Sequence, residues 1–362
     1  MATNFRLSAL MLAAALIGGA TFAADAPPRP PMPNGAVPPG QLMGNSIKPI
    51  KGNLYRASNG IWHSIFLVGD DGILLVDPIN VRFATWLKQQ LDTQFHKSVK
   101  TIIYSHSHFD HAEGAGVFAG ATIIAYEGVK DNLDGRYPNM PGDMVDRNGN
   151  GVIDRDDIMI PTNADPGICG MSAAWFDQYD RNHDGVMTPA ELQQDIVKPT
   201  QYYQDKMALA FGGEQVQLFH PGKNHGDDMT VVYFPREKVV FATDMMADAL
   251  VRDDVRSLPS ACGAFDHTPL AEWIRSYKAV EALDFDIFAG GHGGFFSKAD
   301  MALPRQFLED LQAQVKQAMA AGQTPEQMKK SITLEKYKDW AYFDKLHDKV
   351  IVEAYNNLKL FP

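Results

Sequence analysis

Apolar and polar residues change period several times along the chain, and the changes lay out a layered α/β protein. Leu54–Ala57, Ser64–Gly69 and Gly72–Asp77 are short apolar or alternating runs of strand type, with Asp70-Asp71-Gly72 turning between the last two. Phe83, Trp86, Leu87 and Leu91 then recur three or four apart, the spacing of one helix face. Val99–Tyr104 reads as an apolar strand and Thr122–Tyr126 as another. Residues 131–200 break the rhythm with acidic, turn-rich sequence. Strands resume at Val216–Phe219, Met229–Phe234 and Val239–Thr243, the last two joined by Pro235-Arg236-Glu237. A helix over Leu270–Leu283 leads to a strand at Phe285–Ala289. The tail is helical, and Thr324 with Gln327 forms a capping-box pattern. Strands followed by helix, in two halves, predict an α/β sandwich.

Composition adds limits to this picture. A chain of 362 residues, 45% hydrophobic, can bury a large core. Residues 1–23 read as a secretory signal, with Arg6 at its start, the apolar run Leu7–Gly18, and a cleavage site after Ala23 or alternatively Ala26. That run is shorter than the roughly 20 residues of a spanning helix, so the mature protein is expected to have no membrane span. A secreted or periplasmic location follows. Residues 24–50, dense in Pro and Gly over Pro27–Pro39, read as a linker. The folded body is then 51–130 with 201–362, interrupted by the insertion 131–200. Cys169 and Cys262 leave a disulfide open in an oxidising compartment. Thirteen acids and four bases lie between residues 131 and 195, so most of the formal charge of −11 is local. No basic stripe exists to track phosphates, which argues against a nucleic-acid partner and for a small-molecule substrate. Nothing in the sequence bears on oligomeric state.

The chemistry concentrates at strand ends. His106-Ser107-His108-Phe109-Asp110-His111 follows directly on Val99–Tyr104. Alternation in an extended segment puts His106 and His108 on one side. Ala112-Glu113-Gly114-Ala115-Gly116 reads as a helix start, which carries Asp110 and His111 back over the strand end. Such a site lies at the carboxyl edge of a sheet, where α/β folds place ligands. Further donors stand after other strands: His225 within Lys223–Asp228, Asp244 closing Val239–Thr243, and His292 between glycines after Phe285–Ala289. Imidazole with carboxylate suits zinc, with iron or manganese also admissible.

These residues resemble the metallo-β-lactamase superfamily. Its H-x-H-x-D-H motif is matched by His106, His108, Asp110 and His111, and its later His, Asp and His by His225, Asp244 and His292. The resemblance covers roughly residues 50–130 and 205–300. It implies an αββα sandwich with two metal ions in the cleft between its sheets. By that analogy His106, His108 and His225 hold one ion, Asp110, His111 and His292 the other, and Asp244 bridges. Asp77 matches an acidic residue with a supporting role. Two ions about 3.5–4 Å apart can activate a bridging hydroxide for attack on an electrophilic centre. Asp110 would both ligate and handle the nucleophile's proton. Asp244 resembles the glyoxalase II and lactonase branch more than the true β-lactamases, so a small ester, lactone, thioester or amide is expected, with antibiotic hydrolysis the alternative.

The insertion carries a second pattern. Asp146, Asn148, Asn150, Val152, Asp154 and Asp157 stand at the ligand positions of a twelve-residue calcium loop, with Gly151 at its sharp turn. Asp180, Asn182, Asp184, Val186, Thr188 and Glu191 repeat the pattern and end on Glu, the bidentate choice. A mainly helical EF-hand-like insertion binding one or two calcium ions is expected. A calcium-dependent binding protein on an inert sandwich is the competing reading, against which the seven intact cage ligands stand.

Overall fold

The structure is a computed structural model that describes residues 44–60, 62–133, 149–158, 173–245, 258, 268–340 and 343–362. The expected signal segment, most of the linker, Asp146, Asn148, Cys169 and Cys262 lie outside the described residues. The first sheet contains β1 (Asn45–Lys51), β2 (Leu54–Asn59), β3 (Trp62–Val68), β4 (Ile73–Val76), β5 (Val99–Ile103), β6 (Thr122–Tyr126) and β7 (Gln201–Tyr203), side by side in chain order. β1 to β4 pair antiparallel, and β4 to β7 parallel. The second sheet contains β8 (Lys206–Phe211), β9 (Glu214–Phe219), β10 (Val231–Phe234), β11 (Val239–Phe241), β12 (Ile287–Ala289) and β13 (Phe295–Phe296), in the reverse of chain order from edge to edge. Only β11 and β12 pair parallel there.

The two-residue period of the strands builds the layers. On β4, Leu74 and Val76 join the apolar cluster shared by both sheets, while Ile73 and Leu75 face the outer helix. On β10, Val232 and Phe234 enter that same central cluster, and Val231 and Tyr233 point the other way. Helix α1 (Val81–Gln90) covers the first sheet with Phe83, Ala84 and Leu87, and Asn80 caps it by accepting the Phe83 amide at 2.9 Å. α7 (Leu270–Glu281), α8 (Lys298–Ala320), α9 (Pro325–Ser331) and α10 (Phe343–Leu360) contribute to the cluster on the second sheet. The order is helix, sheet, sheet, helix, as the αββα expectation requires. The Thr324–Gln327 capping box opens α9.

One boundary differs from expectation. Residues 45–50, assigned from sequence to the linker, form with Lys51 the edge strand β1, paired from Asn45 opposite Asn59 to Lys51 opposite Leu54 with a register shift between Pro49 and Lys51. Lys48, Pro49 and Lys51 give it no apolar alternation, and such residues are those an edge strand tolerates.

Candidate metal centre

Every cage residue sits just beyond a strand, where the backbone leaves the sheet and side chains can turn into the cleft. β5 delivers His106 and His108, both buried, with ring centroids 4.3 Å apart. They lie in a turn rather than on the strand, yet converge as alternation predicts. The short helix α2 (Phe109–Ala112) carries Asp110 and His111. His225 follows β9, Asp244 follows β11, and His292 follows β12. A Cβ on Gly291 would lie 2.5 Å from Thr243 Cγ2, so only glycine lets the His292 loop close on the end of β11.

The seven side chains gather into two donor groups, His106, His108, His225 and Asp244 in one, Asp110, His111 and His292 in the other. Within each group the donor atoms lie within 4.8 Å of one another. His225 Nε2 is 3.1 Å from His108 Nδ1, and His292 Nε2 is 3.3 Å from His111 Nε2. Asp244 stands between the groups. Its Oδ2 lies 3.4 Å from His106 Nε2, 3.4 Å from His225 Nε2 and 3.2 Å from His111 Nε2, and its Oδ1 lies 3.0 Å from His292 Nε2. Two donors on a tetrahedral zinc ion at its usual bond lengths are about 3.3 Å apart. The separations therefore fit a shared cation. His106 Nε2 is moreover buried with no hydrogen-bond partner, a cost normally relieved by a ligand.

The electrostatics agree. Burial, reinforced by neighbouring imidazoles, holds His106 and His108 far below the ordinary histidine range, so both are neutral donors. Burial opposes charge on His111 as well, but the carboxylates of Asp110 and Asp244 outweigh it and raise that histidine well above its ordinary value. His292 is raised in the same way, chiefly by Asp244. Asp244 in turn is held well below the usual carboxylate range, because His111, His292 and His225 overcome its burial.

Surrounding residues fix the donors. Asp77 is fully buried, with φ 57°, and accepts the Ser105 amide at 2.7 Å and the Thr243 hydroxyl at 2.7 Å. Its Oδ2 lies 3.6 Å from His111 Nδ1, so one carboxylate ties the ends of β5 and β11 to a cage ring. Sequence reasoning missed several such supports. Ser105 Oγ lies 2.9 Å from His106 Nδ1, and Asn224 Oδ1 accepts the His225 amide at 2.7 Å. Buried Asp228 accepts the Ser107 amide at 3.0 Å. Trp62 Nε1 donates to Asp110 Oδ2 at 3.0 Å. Each is a single polar or aromatic residue beside a strand, a signal too common to single out.

The insertion meets this centre from behind. Its α5 (Ala173–Tyr179) and α6 (Pro189–Leu192) supply Phe176, Tyr179 and Leu192, which with Met187 pack around Phe109, the residue between His108 and Asp110. Tyr179 donates to Glu113 Oε2 at 3.4 Å, and Arg181 Nη2 lies 3.9 Å from Glu113 Oε1. The two loops lie side by side: Met187 donates to the Ile153 carbonyl at 2.8 Å, within an antiparallel bridge from Asp154 to Val186. Gly151 and Gly185 take positive φ of 90° and 85° at the sharp turns. In the second loop Asp180 accepts the amides of Asp184 and Gly185, and Asp184 accepts that of Val186. Glu191 accepts the amides of Thr188 and Arg181. In the first, Asn150 accepts the amide of Val152, Asp154 that of Asp156, and Asp157 that of Asp154. Among the described residues, only the cage draws three or more His, Cys, Asp or Glu donors together.

The comparisons with known proteins agree with the fold. The Metallo-beta-lactamase superfamily profile matches residues 63–292, a span containing all seven cage residues, and the chain belongs to that superfamily. It is a metallo-hydrolase of that fold. The 2,4-dinitroanisole O-demethylase subunit alpha of Nocardioides sp. (strain JS1661) is 20% identical over 281 residues, covering 76% of this chain and 66% of that protein. The sec-alkylsulfatase Pisa1 from Pseudomonas sp. shares the fold at a TM-score of 0.58 and 14% identity, over 88% of this chain and 51% of that one. The metallo-beta-lactamase IND-7 follows at a TM-score of 0.50 and 15% identity, over 74% of this chain and all of its own. The chain thus spans about two thirds and one half of the lengths of the first two.

Proposed function

We propose that the protein is an exported dinuclear metal-dependent hydrolase acting on a small ester, lactone, thioester or amide. The observation that carries this reading is Asp244, a single carboxylate within 3.4 Å of imidazoles from both donor groups. His106, His108 and His225 would hold one cation, Asp110, His111 and His292 the other, and Asp244 both. When bound, two such ions acidify water and polarise the bond to be cleaved. The chain's own part is to hold and to move protons. Ser105 and Asn224 orient His106 and His225. Asp77 supports His111 and keeps the ends of β5 and β11 together. The Asp110 carboxylate accepts the proton of the attacking water and passes it to the leaving group.

The test is metal analysis of purified protein beside hydrolysis of an ester, a lactone, a thioester, an amide and a β-lactam. An aryl methyl ether and a sec-alkyl sulfate belong in the panel, given the names of the relatives. Two equivalents of zinc with turnover of the ester, lactone, thioester or amide supports the reading, whereas turnover of the ether or the sulfate alone would replace its substrate class. Full metal loading with no turnover of any would sink it, and turnover of the β-lactam alone would make antibiotic hydrolysis the function.

We further propose that the two loops of the insertion, the second of them ending on Glu191, bind calcium structurally. The bridge between the loops favours this, since it holds Asn150, Val152, Asp154 and Asp157 beside Asp180, Asn182, Asp184, Val186, Thr188 and Glu191. A melting temperature indifferent to millimolar calcium would remove this second reading and leave the first intact. Export is tested by whether the mature protein begins after Ala23 or Ala26.

A further inference from the structure

Trp62 opens β3, in a stretch where no motif is recognisable, yet it is attached to the cage in three ways. Its indole N–H donates to Asp110 Oδ2 at 3.0 Å. Its ring meets the His292 ring edge-on, with centroids 5.8 Å apart. Its backbone forms an antiparallel bridge with His292, and the next amide, of His63, donates to the Gly291 carbonyl at 2.7 Å. One residue of the first sheet thus holds two of the three donors in the Asp110, His111 and His292 group, which come from α2 and from the far side of the second sheet. It touches none of the other group's donors by a hydrogen bond or ring contact.

The oxygen it holds is the one facing the cage. Asp110 Oδ2 lies 3.2 Å from His111 Nε2 and 3.8 Å from His292 Nε2. A carboxylate oxygen has two lone pairs. With one taken by the indole N–H, the other is left for a cation, and rotation of the carboxylate about its Cβ–Cγ bond is blocked. Among the described residues, the other groups close to this oxygen are the rings of His111 and His292, themselves members of the cage. Hydrogen bonds of this sort to a ligand's own atoms typically change metal affinity ten- to a hundredfold when removed.

We propose that Trp62 is a positioning residue for the Asp110, His111 and His292 site, setting its affinity for the second metal ion while leaving the first site alone. This rests on the dinuclear reading above. The test titrates metal-free protein with zinc against a chromophoric chelator, to read two stepwise constants, and follows the indole N–H resonances of the same protein by NMR. Trp62→Phe keeps a ring against His292 but deletes the N–H. It is expected to weaken the second constant by about ten- to a hundredfold and the first by less than about twofold, at an unchanged melting temperature. Trp62→His, which restores a ring N–H, is expected to recover most of the loss. The resonance missing from Trp62→Phe is expected to shift in Asp110→Asn. Two unchanged constants, or equal losses at both sites with a lower melting temperature, would overturn the proposal. So would an indole resonance indifferent to Asp110→Asn, and that readout holds even if wild-type protein binds fewer than two ions, a result that would instead sink the dinuclear reading.

Discussion

The cage and the insertion are both loops rich in carboxylates, but they satisfy those carboxylates in opposite ways. In the cage, Asp244 and Asp110 face imidazoles drawn from three different strand ends, and a buried ring nitrogen of His106 has no partner. In the insertion, Asp180, Asp184 and Glu191 accept amides from their own loop. The cage is organised by the two sheets around it, so its donors stay converged at a cost the fold meets. The insertion organises itself, with its short helices and the Phe109 cluster as its described apolar support. A preformed site of the first kind suits chemistry, because its donors need no rearrangement. A loop of the second kind suits structural ion binding, in which its acceptors exchange amides for a cation.

The most severe way to break the comparison is to change a cage atom without changing its shape. Asp110→Asn keeps the volume but removes proton acceptance, and is expected to lower kcat/KM by about 10²–10⁴-fold with little change in melting temperature. Activity within a few-fold of wild type would remove Asp110 from its assigned role. Asp77→Ala acts through the fold instead. It leaves the Ser105 amide and Thr243 hydroxyl buried without their acceptor, at about 2–4 kcal/mol in the metal-free protein. A chemical denaturation midpoint that does not move would show that the strand ends hold together without it.

Where cage and insertion meet, Glu113 sharpens the contrast through pH. Burial, with Asp195 and Asp110 nearby, pushes its carboxyl up to about 8, against which Arg181 acts only in part. Its folded value is above its unfolded value, so protonated Glu113 costs nothing at low pH. Stability is then lost as pH rises from about 4.5 through about 8. Glu113→Gln removes that loss: the metal-free variant should stay close to wild type near pH 5 and exceed it by up to about 4 kcal/mol near pH 8.5. Parallel stability profiles for the two proteins would mean that Arg181 and Tyr179 neutralise the carboxylate fully.

How much of this was legible in sequence follows from what each feature needs. His106, His108, Asp110 and His111 sit within six residues after an apolar strand, so the motif and its placement read together, and three later donors each close a strand of their own. Both sheets were legible wherever a short run is apolar throughout, as on β4 and β10. β8 was missed although Met207, Leu209 and Phe211 alternate, because alanines between them blur the polar face. β1 was missed because an edge strand carrying Lys48, Pro49 and Lys51 has no apolar face to announce it. Trp62 and Asp228 were missed for a different reason: their partners are 48 and 121 residues away, and no spacing rule links them. The packing of the insertion on Phe109 belongs to the same class.

The smallest expected effect separates calcium from capping at Glu191. This carboxylate closes the second loop and also completes a capping box with Thr188 at the start of α6. Glu191→Gln preserves the capping box, since glutamine accepts the same amide, but loses the charge and bidentate reach that calcium needs. If the loop binds calcium at about 10⁻³ M, ten times that concentration stabilises wild type by about 1.4 kcal/mol. In a protein of this size that raises the melting temperature by roughly 2–4 °C. Glu191→Gln should melt within about a degree of wild type without calcium, because its cap is intact, and should gain little when calcium is added. An equal gain in both proteins would move the ion away from this loop. A variant that melts several degrees lower without calcium would show that the charge on Glu191 serves α6 and the Arg181 amide, and the insertion would then be held by its own hydrogen bonds alone.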